Sequence, residues 1–77
     1  MSEPVLIDNL HAVAGLVFDE VAERAIIAET YSRTAADFAS IGDRRGTAYA
    51  LRQAAVAIAS AADAVGTLYP QNRESGR

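Results

Sequence analysis

Ile41-Gly42-Asp43-Arg44-Arg45-Gly46 is the stretch on which the fold turns. It is the one obvious break between Pro4 and Pro70, the chain's two prolines. Proline suits a first helical turn and the residues just past a helix end, so this pair brackets the structured body. Within the break, Gly42 suits the left-handed position that closes a helix. Asp43 suits the cap of the next helix, because its carboxylate can accept the free amide hydrogens of the first turn. The pattern predicts a single helical domain over residues 1–69, with a helix over 4–40, a turn at 41–43 and a helix over 44–68. A flexible polar tail follows over 70–77.

On the C-terminal side of the break, Ala48, Leu51, Ala55, Ile58, Ala62, Val65 and Tyr69 recur at alternating steps of three and four. That spacing places them on one helical face. Arg52, Ser60, Asp63 and Thr67 fall mostly off it. Alanine fills most of the small positions, which favours helix formation and lets a neighbouring backbone come close. On the N-terminal side, Ile7, Leu10, Ala14, Val17, Val21, Ala28, Tyr31, Ala35 and Phe38 form a stripe of similar period. Glu20 with Arg24, and Glu29 with Arg33, are i,i+4 pairs that support an exposed helical face.

The two predicted helices differ in length, at roughly 55 Å and 37 Å. The excess is apolar: of the fourteen residues from Val5 to Phe18, ten are hydrophobic. Asp8, His11, Gly15 and Asp19 share a wedge of about 80° on the helical wheel, and most of the remaining circumference is apolar. Each methylene left in water costs about 0.8 kcal/mol, so such a segment needs cover. Either the chain bends near Gly15 and folds back as a third helix, or the helix runs on and buries this segment against another copy or partner. Gly15 alone is a weak break. The expected architecture is therefore all-α, a long helical hairpin assembling as a dimeric four-helix-type bundle. Its interface would hold Val5, Leu6, Leu10, Val13, Leu16, Val17 and Phe18.

Composition narrows the function classes. Hydrophobic residues make up 51% of the 77, too many for a disordered chain. There is no cysteine, which removes disulfides, thiolate metal sites and thiol nucleophiles together. The net charge of -3 and a pI of about 4.9 argue against a nucleic-acid binder, which concentrates basic charge on one face. No signal-peptide pattern opens the chain and no apolar run approaches the roughly 18 residues of a membrane span, so a cytoplasmic protein is expected. Seventeen alanines and seven arginines with no lysine fit the coding bias of a high-GC genome, such as that of an actinobacterium or its phage. So short a chain has no room for two lobes around a cleft, which argues against a self-contained enzyme.

The segment over residues 28–61 resembles a single tetratricopeptide (TPR) helical hairpin. The resemblance is carried by Ala28-Glu29, Tyr31, Ala35 and Phe38, then Gly42-Asp43, then Leu51 and Ala54. It implies that the small and aromatic positions form the contact between two antiparallel helices and that Gly-Asp forms their turn. It also points towards protein binding. Thr34 and Thr47 depart from the family's leucine and alanine, no proline closes the repeat near Ala59, and no second copy precedes it.

Few residues could carry chemistry. His11, the only histidine, forms an i,i+3 pair with Asp8, but a stable zinc site needs three or four protein ligands. Glu20 and Glu23, beside Asp19, form an ExxE pair similar to the magnesium-holding pairs of all-α nucleotide pyrophosphohydrolases related to MazG. Those enzymes need a second acidic pair on a following helix, where this chain has Ser60 and Asp63. Arg44, Arg45 and Arg52, with Tyr49 among them, form the single basic cluster and could meet a phosphate or an acidic partner. No glycine-rich phosphate loop occurs and nothing calls for a cofactor. The reading that follows is a non-enzymatic regulatory module that binds itself or another protein, as an adaptor, antitoxin-like partner or phage-type inhibitor. The alternatives are a small magnesium-dependent hydrolase working across a dimer, and a nucleic-acid-binding regulator using the arginines.

Overall fold

A computed structural model describes the backbone over residues 2–68 and the side chains from Leu10 to Leu68. The chain forms two helices packed against each other, α1 (Ser2–Ser40) and α2 (Arg44–Gly66), with no strand among the described residues. α1 runs unbroken through Gly15, so the helix does not fold back into a third segment. Pro4 falls in its first turn, where a missing backbone N–H leaves no helical bond unmade. Thr30 and Thr34 donate their hydroxyls to the carbonyls of Ile26 and Thr30, one turn back, and leave the helix intact.

The turn forms as its residues require. The Asp43 amide donates to the Phe38 carbonyl at 2.9 Å and the Gly42 amide to the Ala39 carbonyl at 3.0 Å, the paired bonds of a Schellman closure. Gly42 has φ 73°, a left-handed conformation that a side chain resists. Asp43 then caps α2, its carboxylate accepting from the Gly46 amide at 2.9 Å and its carbonyl from the Thr47 amide at 3.0 Å. One residue thus ends the first helix and starts the second. α2 ends at Gly66, two residues before the sequence places its end, because the Thr67 and Leu68 amides close short bonds to the Ala64 and Val65 carbonyls.

The contact between the helices follows heptad spacing on both sides. α1 contributes Val17, Val21, Arg24, Ala28, Tyr31, Ala35 and Phe38, all buried or half-buried. This keeps the expected stripe, except that Leu10 is exposed and Ile7 lies outside the described side chains. α2 contributes Thr47, Ala50, Ala54, Ala57, Ala61, Ala64 and Leu68. Here the sequence reading is corrected by one residue. Leu51, Ala55, Ile58 and Ala62 of the expected stripe are exposed, Ala48 and Val65 are half-buried, and Tyr69 lies outside the described residues. The two stripes have identical spacing and lie about 100° apart on the helix. The alanine stripe occupies the contact, and the bulkier stripe faces away from the line joining the helix axes.

Two contacts fix the register. A methyl group built on Gly46 would fall 2.6 Å from Cγ of Phe38, so the ring lies directly on the glycine. Arg24 Nη1 donates to the Ser60 hydroxyl at 2.6 Å. In both pairs the residue numbers sum to 84, which sets Gly66, the end of α2, level with Phe18. Residues 2–17 of α1 therefore run on past the end of α2. The molecule is correspondingly long, 62 × 31 × 11 Å, with a radius of gyration of 17.9 Å. A compact chain of this length would have about 11.5 Å.

Candidate interaction surface

The five buried hydrophobic residues among those described are Ala28, Ala35, Ala50, Ala54 and Ala57. No large side chain is fully buried. The larger apolar groups lie outside: Leu10, Val13, Leu16 and Phe18 on the overhang or at its root, Ile26 and Ile27 in the middle of α1, and Leu51, Val56 and Ile58 on α2. Leu16 is 69% exposed and Ile58 57%, values far from those of core residues. This inverts the usual sorting, in which leucine, isoleucine and phenylalanine are buried in preference to alanine's small methyl.

Of the residues expected in an interface, Leu10, Val13, Leu16 and Phe18 are free to meet a partner. Val17 is half-buried on the side of α1 that faces α2, so part of its surface already belongs to the hairpin. Val5 and Leu6 lie outside the described side chains. Sequence reasoning missed the exposed surface of α2. The signal is present as two adjacent apolar stripes of equal period, of which hydrophobicity alone favours the bulkier for the internal contact.

The polar candidates are dispersed. Arg44, Arg45 and Arg52 are exposed and join no ion pair among the described residues. Arg45, Tyr49 and Arg52 follow i, i+4, i+7 spacing on one face, with Arg44 about 100° away. Tyr49 is half exposed and meets Tyr31 edge to face, with ring centroids 6.4 Å apart at 76°. His11, Asp19 and Glu23 are exposed, and Asp8 lies outside the described side chains. Glu20 is paired with Arg24 at 2.7 Å, the i,i+4 contact its spacing predicts, as Glu29 is with Arg33 at 3.1 Å. Among the described residues, no three histidine, aspartate or glutamate side chains converge where they could hold a metal ion. Arg24 does more than support an exposed face. It reaches across to Ser60, which lies at the edge of the helix contact rather than away from it.

Among the positions that carry the TPR resemblance, Ala28, Ala35 and Ala54 are buried between the helices, Tyr31 and Phe38 are half-buried, and Leu51 points outward. The chain matches no known protein family, no curated protein and no solved structure. Among the described residues, no helix is long and apolar enough to cross a membrane.

Proposed function

We propose that this chain is a regulatory helical module that works by binding protein, and that its first partner is a second copy of itself. The carrying observation is the alanine-only core beneath a surface rich in leucine, isoleucine and valine. A buried methyl contributes about 0.8 kcal/mol, so a core of alanines gains less from burial than one of leucines or isoleucines. Small domains commonly meet such a shortfall by association.

The overhang, with Leu10, Val13, Leu16 and Phe18 exposed, supplies interface area that α2 of the same chain is too short to cover. Adaptor, antitoxin-like and inhibitory roles all suit a hairpin of this kind. Light scattering on the eluted protein tests the reading. A mass of about twice 8.1 kDa at micromolar concentration is expected. A folded species at 8.1 kDa would contradict it.

A further inference from the structure

We infer that the outer face of α2 at Arg45, Tyr49 and Arg52 docks an acidic helix of a different protein, one that presents two carboxylates two turns apart. The inference goes beyond the self-association proposed above and does not depend on it. Arginine is used in two ways here. On α1, Arg24 and Arg33 each reach one turn back to a glutamate, at 2.7 Å and 3.1 Å. On α2, Arg44, Arg45 and Arg52 are exposed and meet no carboxylate among the described residues. From Arg44 to Ala62 the helix holds no acidic residue with which they could pair. Of the nearest carboxylates outside α2, Asp43 accepts from the Gly46 amide and Glu29 is held by Arg33. Asp37 falls on the far side of α1. Charge is thus segregated: α1 carries seven carboxylates against two arginines, and α2 three arginines against one carboxylate. Arg44 and Arg45 also stand in the first turn of α2, where no acidic residue accompanies them and the helix dipole disfavours cations. No pair among the described residues offsets that cost.

The geometry of the row sets the shape of its ligand. Arg45 and Arg52 lie two turns, or about 10 Å, apart on one face. Tyr49 stands between them, and Tyr31 steadies its ring edge to face. Arg44 lies about 100° round the helix from Arg45 and outside the row. Beyond Arg52 the same side of α2 continues through exposed Val56 and Ala59, and its next charge is Asp63, three turns further on. A helix laid along this row sets one carboxylate on each guanidinium, whose paired N–H groups grip both carboxylate oxygens. The side chain of the intervening turn then rests on Tyr49, and aromatic and arginine side chains together are what protein interfaces favour.

Charge complementarity selects the occupant. A second copy does not supply the match, because no two of the chain's ten acidic residues stand seven positions apart. Nucleic acid is bound by neutralising many phosphates with a broad basic surface, whereas this face offers two arginines beside a strongly acidic α1. Two carboxylates on a protein helix need no more than the row provides.

The test uses the full chain and fluorescein-labelled, alanine-rich helical peptides, with binding read by anisotropy. The first peptide carries two glutamates seven positions apart with a leucine four positions after the first. The second has glutamine in place of both glutamates, and the third has the glutamates five positions apart, about 140° out of line. The first is expected to bind about tenfold more tightly than either of the others, and to weaken as salt rises from about 50 mM to about 500 mM. Arg45→Gln with Arg52→Gln should abolish that preference, and Arg33→Gln should keep it. Equal binding of the glutamate and glutamine peptides, or a preference that survives the double substitution, would overturn the inference. So would a labelled DNA duplex of about 20 base pairs that binds more tightly than the first peptide and is released by the same substitutions, which would give the face to nucleic acid. The double variant should keep the wild-type mass in light scattering. A changed mass would show that the arginines serve self-association and would overturn the inference while leaving self-association standing.

Discussion

Arg24 of α1 donates to the hydroxyl of Ser60 on α2 at 2.6 Å, the one side-chain hydrogen bond that crosses between the helices among the described residues. An alanine contact is smooth and says little about register, because one methyl resembles the next. A single polar tie across it, steadied by Glu20 on the far side of the guanidinium, selects one alignment of the two helices. Both partners are partly exposed, so the contribution to stability is modest. Ser60→Ala is expected to cost about 0.5–1.5 kcal/mol in urea denaturation. Arg24→Ala should cost a similar amount plus a few tenths for the lost Glu20 pair. A double-mutant cycle should show coupling between the two positions, and additive effects would mean that the contact does not hold in solution.

The glycines divide by sign. Gly46→Ala places a methyl against the Phe38 ring at 2.6–2.8 Å and is expected to destabilise by about 1–3 kcal/mol despite alanine's better helix propensity. Gly15→Ala meets nothing within 4 Å and should stabilise by about 0.5–1 kcal/mol. Thermal melts of the two variants should move in opposite directions.

The turn concentrates two roles in two residues. Gly42→Ala forces a side chain into the left-handed region at φ 73°, costing about 1–2 kcal/mol. Asp43→Ala removes the cap of α2 and should cost about 1 kcal/mol. Asp43→Asn, which keeps an accepting oxygen, should recover most of that loss. Equal losses from the two Asp43 variants would show that capping is not what Asp43 contributes.

Ala50 is fully enclosed, and Leu51 beside it is 54% exposed. Enlarging the first should separate the helices, and trimming the second should not. Ala50→Leu is expected to lose at least 1–3 kcal/mol of hairpin stability. Leu51→Ala should preserve the helical circular dichroism of the associated protein while weakening its self-association. If Ala50→Leu is tolerated, α2 packs through a different stripe.

Much of this architecture was legible in the residues. The turn at Gly42-Asp43, the helical segments on either side of it and both i,i+4 ion pairs follow from local chemistry within four or five residues, whereas the residues around Gly15 leave both a continuous and a folded-back first helix open. The facing of α2 did not follow, for a physical reason. Two stripes of equal period lie one residue apart, and hydrophobicity favours the one with Leu51 and Ile58. Close packing of two backbones instead favours Ala50, Ala54 and Ala57. That choice depends on what α1 offers across the contact, including Phe38 lying on Gly46, and no reading of α2 by itself contains it. The Arg24–Ser60 tie was hidden for the same reason, since it joins residues 36 positions apart.

On the proposed reading, the alanine-cored hairpin is incomplete alone and folds together with a second copy. The most direct test is the melting temperature followed by circular dichroism over a dilution of about a hundredfold, because coupled folding and association make stability depend on concentration. The melting temperature is expected to fall steadily on dilution. A melting temperature independent of concentration, with a mass of 8.1 kDa, would contradict it.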